Sequence, residues 1–238
     1  MIRVTVWNEN RSKPSNEKAH DVYPEGIHGA LAGIFRQAGF EVRTALLDDP
    51  ENGLTEEVLR QTDVLVYWSH LAHDDLSYKT CERICRHVNC GMGFIPLHSS
   101  HMSKPFRQLM GTTCTLDWRE NGDREILWCM DIGHPIANGI EPYFELEKEE
   151  MYREYFDIPK PDELVFVGWF SSGEVFRSGV CYHRGRGRVF YFQPGHETYP
   201  TYYHPSIQKV LVNAVKWACP EDRDTEVRFC RHVPPVIK

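Results

Sequence analysis

The sequence predicts an α/β fold, with a mostly parallel central sheet covered by helices on both faces and β-hairpins added in the C-terminal half. Three observations carry that expectation. Strand-like and helix-like segments alternate through the first half, the pattern that builds a parallel sheet with crossover helices. From Thr112 onward, β-rich runs follow one another directly, divided by glycine-containing turns. A last amphipathic helix then returns to pack on the sheet.

In chain order, Ile2–Trp7 reads as the first strand. After a polar loop, Pro24 stands where a helix starts, and Ile27, Ala30, Leu31, Ile34, Phe35 and Ala38 recur at helical spacing until Gly39 stops the run. Val42–Leu46 is the second strand, Thr55–Arg60 a short helix and Asp63–Trp68 a buried third strand. Tyr78, Cys81, Ile84, Cys85 and Val88 mark a helix that leads through Gly91 and Gly93 into a fourth strand, Phe94–Leu97. Pro96 has no N–H for the ladder, which places it at a strand end or beside a bulge. A short helix follows around Phe106–Met110. Runs at Thr112–Trp118, Glu125–Met130, Glu163–Phe170, Val175–Tyr182 and Arg188–Phe192 supply the β-rich half, with hairpin connections at Ser171–Gly173 and Arg184–Gly187. Ile207, Val210, Leu211, Ala214, Val215 and Ala218 line the closing helix. The layout predicts one domain over 1–220 and an extended tail over 221–238.

A chain of 238 residues with 41% hydrophobic types can bury one sizeable core. Lys and Arg number 27 against 34 Asp and Glu, a formal charge of −7 without a basic block, which argues against nucleic acid as a partner. Arg3 sits in the first strand directly after the initiator Met, where an export signal would need a long apolar core. No apolar stretch approaches the roughly 18 residues of a membrane helix, and mean hydropathy is negative, so a soluble, cytoplasmic protein is expected. The 8 Cys form neither a CxxC pair nor a dense disulfide framework and read as core thiols. The 12 His differ, because several are clustered.

In an open α/β sheet, ligands collect outside the carboxyl ends of the strands. The first strand runs into Asn8-Glu9-Asn10, the third into Trp68-Ser69-His70 with His73 beyond it, and the fourth into His98-Ser99-Ser100-His101. The late strand Val189–Phe192 runs into Gln193-Pro194-Gly195-His196-Glu197. His70, His98 and His196 therefore end strands that should converge, and neutral imidazole is the commonest ligand of divalent metals, zinc first among them. His73 and His101 stand as co-ligands, partners of the ligands or proton donors. The run Glu147–Glu154 reads as a charged, exposed segment or as the source of an acid, base or ligand, through Glu150 or Glu154. Glu197 adds a second carboxylate for proton transfer. His28, Trp68, His73 and Arg177 are the candidate substrate contacts, the tryptophan because a flat ring suits a sugar face. No GxGxxG follows the first strand, so no nucleotide cofactor is expected.

Several stretches closely resemble the ThuA-like trehalose-utilisation proteins. They are Tyr23–His28, Trp68–His73, Gly91–Met110, Glu149–Tyr152, Glu174–Gly179 and Phe190–Pro200, and the resemblance runs from the first strand to about Pro220. It implies a flavodoxin-like three-layer sandwich related to class I glutamine amidotransferases. It also implies a link to trehalose and similar disaccharides through 3-keto-sugar metabolism, in company with a nicotinamide-dependent sugar dehydrogenase. Where the amidotransferases carry a nucleophilic Cys at the elbow after the fourth strand, this sequence has His98, which cannot form the glutamyl thioester. The expected function is that of an enzyme acting on a keto-disaccharide by hydrolysis, elimination or isomerisation. A metal on His70, His98 and His196 would polarise the carbonyl, with His101, Glu150 or Glu197 moving protons. A non-catalytic sugar-binding or accessory subunit of the dehydrogenase is the alternative. A symmetric homo-oligomer is expected on general grounds.

Overall fold

The computed structural model describes residues 1–11 and 17–222. All its strands belong to one nine-stranded sheet. Its elements are β1 (Arg3–Asn8), α1 (Glu17–Val22), α2 (Gly26–Gln37), β2 (Glu41–Leu46), α3 (Glu56–Arg60), β3 (Val64–Trp68), α4 (Tyr78–Asn89), β4 (Gly93–Leu97) and α5 (Lys104–Met110), followed by β5 (Asp117–Cys129), β6 (Tyr143–Arg153), β7 (Glu163–Phe170), β8 (Val175–Arg184), β9 (Gly187–Phe192) and α6 (Pro205–Ala218). The sheet order is β2-β1-β3-β4-β9-β8-β7-β5-β6. Pairs from β2 to β9 are parallel and those from β9 to β6 antiparallel. The chain steps from β1 outward to β2 and then back to β3 on the other side, which opens the crevice at the carboxyl ends.

Because side chains alternate along a strand, each central strand feeds two cores. Val64, Val66 and Trp68 face α2 and α6, whereas Leu65 and Tyr67 face α4 and α5. That double burial explains why these strands read as unbroken apolar runs. The helix boundaries follow local chemistry. Thr55, Ser77 and Ser103 accept the backbone N–H of Val58, Thr80 and Phe106, capping α3, α4 and α5. Pro96 is the next-to-last residue of β4, where the β9 pairing skips from Phe94 to Leu97 without a register shift, so no bulge is needed.

Three expectations change. The runs Thr112–Trp118 and Glu125–Met130 are not separate strands; Asp117–Cys129 is one long strand whose register against β6 shifts between Arg119 and Glu125. The charged segment Glu147–Glu154 belongs mostly to β6, in which Glu149, Glu150, Met151 and Tyr152 are buried. Burial on consecutive positions needs cover on both faces, and β6 obtains it by curling over the strand ends: Tyr152 stacks on His98, from near the middle of the sheet, with ring centres 5.3 Å apart. His87 lies in the core face of α4 instead of on the helix surface, paired with Glu56. Among the described residues no helix is long and apolar enough to cross a membrane. Beyond Asp222, the expected tail lies outside the described residues.

Candidate active site

Four strand ends meet at the carboxyl edge. Just past β1, the Glu9 carboxylate accepts the backbone N–H of Leu71 (2.6 Å) and Ala72 (3.0 Å), pinning the loop that carries His70 and His73. At the end of β4 the chain turns sharply, and His98 takes a left-handed backbone (φ 52°) before a short 3-10 turn, His98–Met102. Positive φ is uncommon outside glycine, and histidine is among the residues that adopt it more readily, so the elbow is accommodated by the residue that occupies it. The turn is tied to the neighbouring loop, for Ser100 Oγ accepts Ser69 N–H (2.8 Å) and donates to the Tyr67 carbonyl (3.1 Å).

The loop after β9 needs Gly195. Its φ is 138°, and a Cβ there would stand 2.0 Å from Tyr202 Oη. Trp68 Nε1 donates to its carbonyl (3.0 Å). Buried Glu149 holds the same loop from above, accepting N–H from Gly195 (3.0 Å) and His196 (3.2 Å), from its neighbour Glu150 (2.9 Å), and the Thr201 hydroxyl proton (2.7 Å). Burial pushes the Glu149 carboxyl above its usual range, against these donors.

The loops bring His70, His98 and His196 into a triangle of edge-on rings, with centres 5.3 to 6.0 Å apart. Glu150 joins them from β6, its Oε2 2.9 Å from His98 Nε2. The two atoms are buried and lie off each other's hydrogen-bonding direction, so neither has a hydrogen-bond partner. Single donor atoms of His98, Glu150 and His196 lie within 4.8 Å of one another, as do those of His70, His196 and Glu197.

Partners on Nδ1 decide what each ring offers. His98 Nδ1 faces the Gln193 carbonyl (2.9 Å) and His101 Nδ1 the Cys114 carbonyl (2.7 Å). A carbonyl only accepts, so each Nδ1 carries a proton; the neutral His101 then keeps a bare Nε2, whereas His98 Nε2 faces the Glu150 carboxylate. His70 Nδ1 lies 2.9 Å from Glu197 Oε2, the carboxylate–histidine pairing that orients metal-binding imidazoles. Burial pushes His101 down to about 3 and His73 and His196 down to about 4, so these rings are neutral near pH 7. Burial also disfavours a charged His98, but the adjacent Glu150 outweighs it and raises the imidazole; His98 in turn lowers Glu150 against burial. Glu197, despite its burial, is lowered to about 2 by His70.

A cavity of about 320 Å³ opens beside the cluster, within the range of small-molecule sites. His70 and Glu150 line both, so the histidines communicate with it; His73, His101, Ser99, Tyr152 and Trp118 are also part of its wall. Trp118 had no signal in its own segment. It pairs directly with Tyr152 across the β5–β6 ladder, which puts both side chains on one face, and it remains 65% exposed at the cavity's edge.

Of the sequence candidates, His70, His73, His98, His101, Glu150, His196 and Glu197 are brought together. Three others are placed differently. Trp68 is fully buried, because strand parity turns it toward α2 and α6, and it anchors Gly195 in place of meeting a ligand. Arg177 grips Glu154 through Nε (2.7 Å) and Nη2 (2.8 Å) and the Phe156 carbonyl (2.7 Å), a structural clamp that takes both Arg177 and Glu154 out of the site. His28 sits in the first turn of α2 and does not line the cavity.

In fold, the molecule is an α/β protein of the class I glutamine amidotransferase-like type. A protein from Thermoplasma acidophilum described as a GMP synthase subunit superposes with a TM-score of 0.52 at 11% identity, covering 91% of this chain and 93% of that one. More similar are a ThuA-like protein from Parabacteroides merdae (TM-score 0.69, 14% identity, covering 94% and 92%) and a cytoplasmic protein from Salmonella typhimurium (0.62, 14%, 92% and 100%). The ThuA family model, described as trehalose utilisation, matches residues 3–218, and the chain belongs to that family. The sequence matches no curated relative.

Proposed function

We propose that this protein is a metal-assisted enzyme acting on a 3-keto-disaccharide or a related sugar ketone, and that it moves the proton next to the carbonyl. The observation that carries the reading is the buried cluster around His98 Nε2 and Glu150 Oε2, donor atoms 2.9 Å apart outside hydrogen-bond geometry, with a His196 donor within 4.8 Å of both. Without an ion, His98 and Glu150 meet as a buried imidazolium–carboxylate pair; a divalent cation displacing the shared proton would satisfy both donors. The ring spacing is compatible with one ion, and the two close donor groups, His98–Glu150–His196 and His70–His196–Glu197, share His196. Imidazoles bound at about 2.1 Å in tetrahedral array have centres about 5 Å apart. His70, His98 and His196 would hold zinc, with Glu150 as the fourth donor, and the bound ion would polarise a carbonyl oxygen.

The chain's own groups supply the rest. His101 presents a bare, neutral Nε2 to the cavity and takes a proton from the carbon beside the ketone. That step is shared by elimination, isomerisation and the eliminative route to hydrolysis. Glu197 keeps His70 in one tautomer. Trp118 offers its face to a pyranose ring at the cavity edge. The family's tie to trehalose supports the sugar, and a nicotinamide-dependent dehydrogenase is the partner that would supply the ketone. His98 at the elbow argues against amide transfer. The cytoplasmic Salmonella protein of the same fold supports a cytoplasmic setting.

The test is to measure zinc in the purified protein and then follow 3-ketotrehalose in heavy water by NMR, before and after chelation. Stoichiometric zinc and exchange of the proton next to the ketone, both lost on chelation, are expected. A zinc-free protein that binds the ketone and leaves it unexchanged would sink the proposal and favour the accessory-subunit reading.

A further inference from the structure

On the interior side of the cluster, Glu125 of β5 is fully buried. Its Oε1 lies 3.1 Å from Ser178 Oγ on β8, which lies 3.2 Å from Oε1 of Gln193 at the end of β9. The orientation of the Gln193 amide is not free. Its Nε2 donates to the Glu150 carbonyl (3.1 Å), which can only accept, so the atom facing Ser178 is the amide oxygen and also only accepts. Ser178 has one proton and faces two acceptors, so with an ionised Glu125 one of the two contacts sets lone pair against lone pair. Both contacts are attractive only if the Glu125 carboxyl supplies a proton to Ser178, which then donates to Gln193.

We infer that Glu125 is a protonated carboxylic acid in the folded protein and begins a one-way chain, Glu125 to Ser178 to Gln193, that positions His98 and Glu150. Glu149 makes the contrast, since it accepts four donors and has no room for a proton. Burial and the charge of Glu149 favour the neutral form of Glu125, the environment in which a carboxylic acid serves as a donor at neutral pH. The pocket is also closed by backbone. A methyl group at Gly168 would stand 2.2 Å from Glu125 Oε1 and 2.4 Å from Ser178 Oγ, so β7 seals the pair where any larger residue would displace it.

Gln193 is where the chain acts on the site. Its carbonyl accepts the His98 Nδ1 proton (2.9 Å), which fixes the ring with Nε2 toward Glu150, and its side-chain amide holds the backbone of Glu150. Glu125 and Ser178 are therefore positioning residues that touch neither sugar nor ion. The protonation state stands on hydrogen-bond counting alone; the effect on zinc rests on the functional reading above.

Two measurements test the inference separately from that reading. In the infrared difference between the parent protein and Glu125→Gln at neutral pH, a protonated-carboxyl C=O band belonging to the parent is expected, with a downshift in heavy water. A carboxylate band in its place overturns the inference. In zinc titrations, Glu125→Gln, which keeps an N–H donor toward Ser178, is expected to bind within about twofold of the parent. Ser178→Ala, which strands the Gln193 oxygen, is expected to bind about 10-fold more weakly, the lower end for outer partners of metal ligands. Equal binding by both variants, or a loss in Glu125→Gln as large as in Ser178→Ala, overturns the positioning role. A parent protein with no zinc affinity counts against the functional reading, and the infrared band still decides Glu125.

Discussion

Among the described residues, histidine and carboxylate donors gather within reach of an ion at two places, and the proposed function uses only one of them. At the strand ends, His98 and His70 place Nδ1 against groups that accept, the Gln193 carbonyl and the Glu197 carboxylate, and His98 turns Nε2 toward Glu150. At the other end of the sheet, His134, Glu163 and Cys181 also lie within 4.8 Å of one another. There, His134 Nδ1 accepts the Ile136 N–H (3.1 Å), capping a short 3-10 turn, and Nε2 must carry the proton that it gives to Glu163 (2.5 Å). A metal on that Nε2 would force a second proton against the Ile136 N–H. Residue type and proximity are shared, and His196 resembles His134 in that its Nδ1 accepts a backbone N–H, from Thr198 (3.3 Å); the contrast in Nδ1 partners therefore rests on His98 and His70.

The comparison breaks most directly at the histidines. His98→Ala is expected to weaken zinc binding by more than the roughly 10–100-fold that loss of an outer partner costs. His134→Ala should leave zinc stoichiometry at the parental value and lower unfolding stability by about 1–2 kcal/mol through loss of its cap. Zinc that follows His134 and ignores His98 would reverse the assignment. Glu197→Gln probes the orienting partner alone, and a fall in zinc affinity of about 10-fold or more by competitive titration is expected, because the His70 tautomer is no longer held by a charge. Trp118→Ala leaves the cluster intact. Its KM for the keto-sugar should rise about 10-fold with kcat within about twofold, the pattern of lost uniform binding.

Arg177→Ala is expected to change neither zinc nor sugar binding and to lower stability by about 2 kcal/mol at neutral pH. Burial disfavours the Glu154 carboxylate, but Arg177 and the backbone N–H of Phe156 and Arg177 outweigh it and hold it below its ordinary value of 4.5. A depressed carboxyl stabilises the fold above its unfolded pKa and loses that contribution as pH falls through the folded one. The gap between parent and variant in urea titrations should therefore be full at neutral pH and close progressively below pH 4.5. A gap independent of pH would mean that Arg177 acts by packing alone.

Local signals made the first half of the fold legible. Pro24 and Gly39 bracket α2, and the unbroken apolar runs of β3 and β4 report burial on both faces. The histidine constellation was equally readable, because each member directly follows a strand whose identity the local pattern reveals. What escaped was non-local. The charged run from Glu147 to Glu154 carries helix-like and loop-like composition, and its burial depends on β6 curling over β4, across most of the sheet. Trp118 took its place only through pairing with Tyr152, and Trp68 lost its expected role through strand parity.

By itself, then, the sequence determined the strands of the parallel half, the residues that follow them, and that imidazoles and carboxylates gather at one edge, since periodicity and end markers act over a few residues; the single long β5 and the buried β6 were not among them. Only the tertiary structure decided which nitrogen of each ring is bare and which carboxyl keeps its proton. Those states depend on partners 95 residues away for His98, 127 for His70 and 53 for Glu125, and a hydrogen bond exists only once the fold has brought its two ends together.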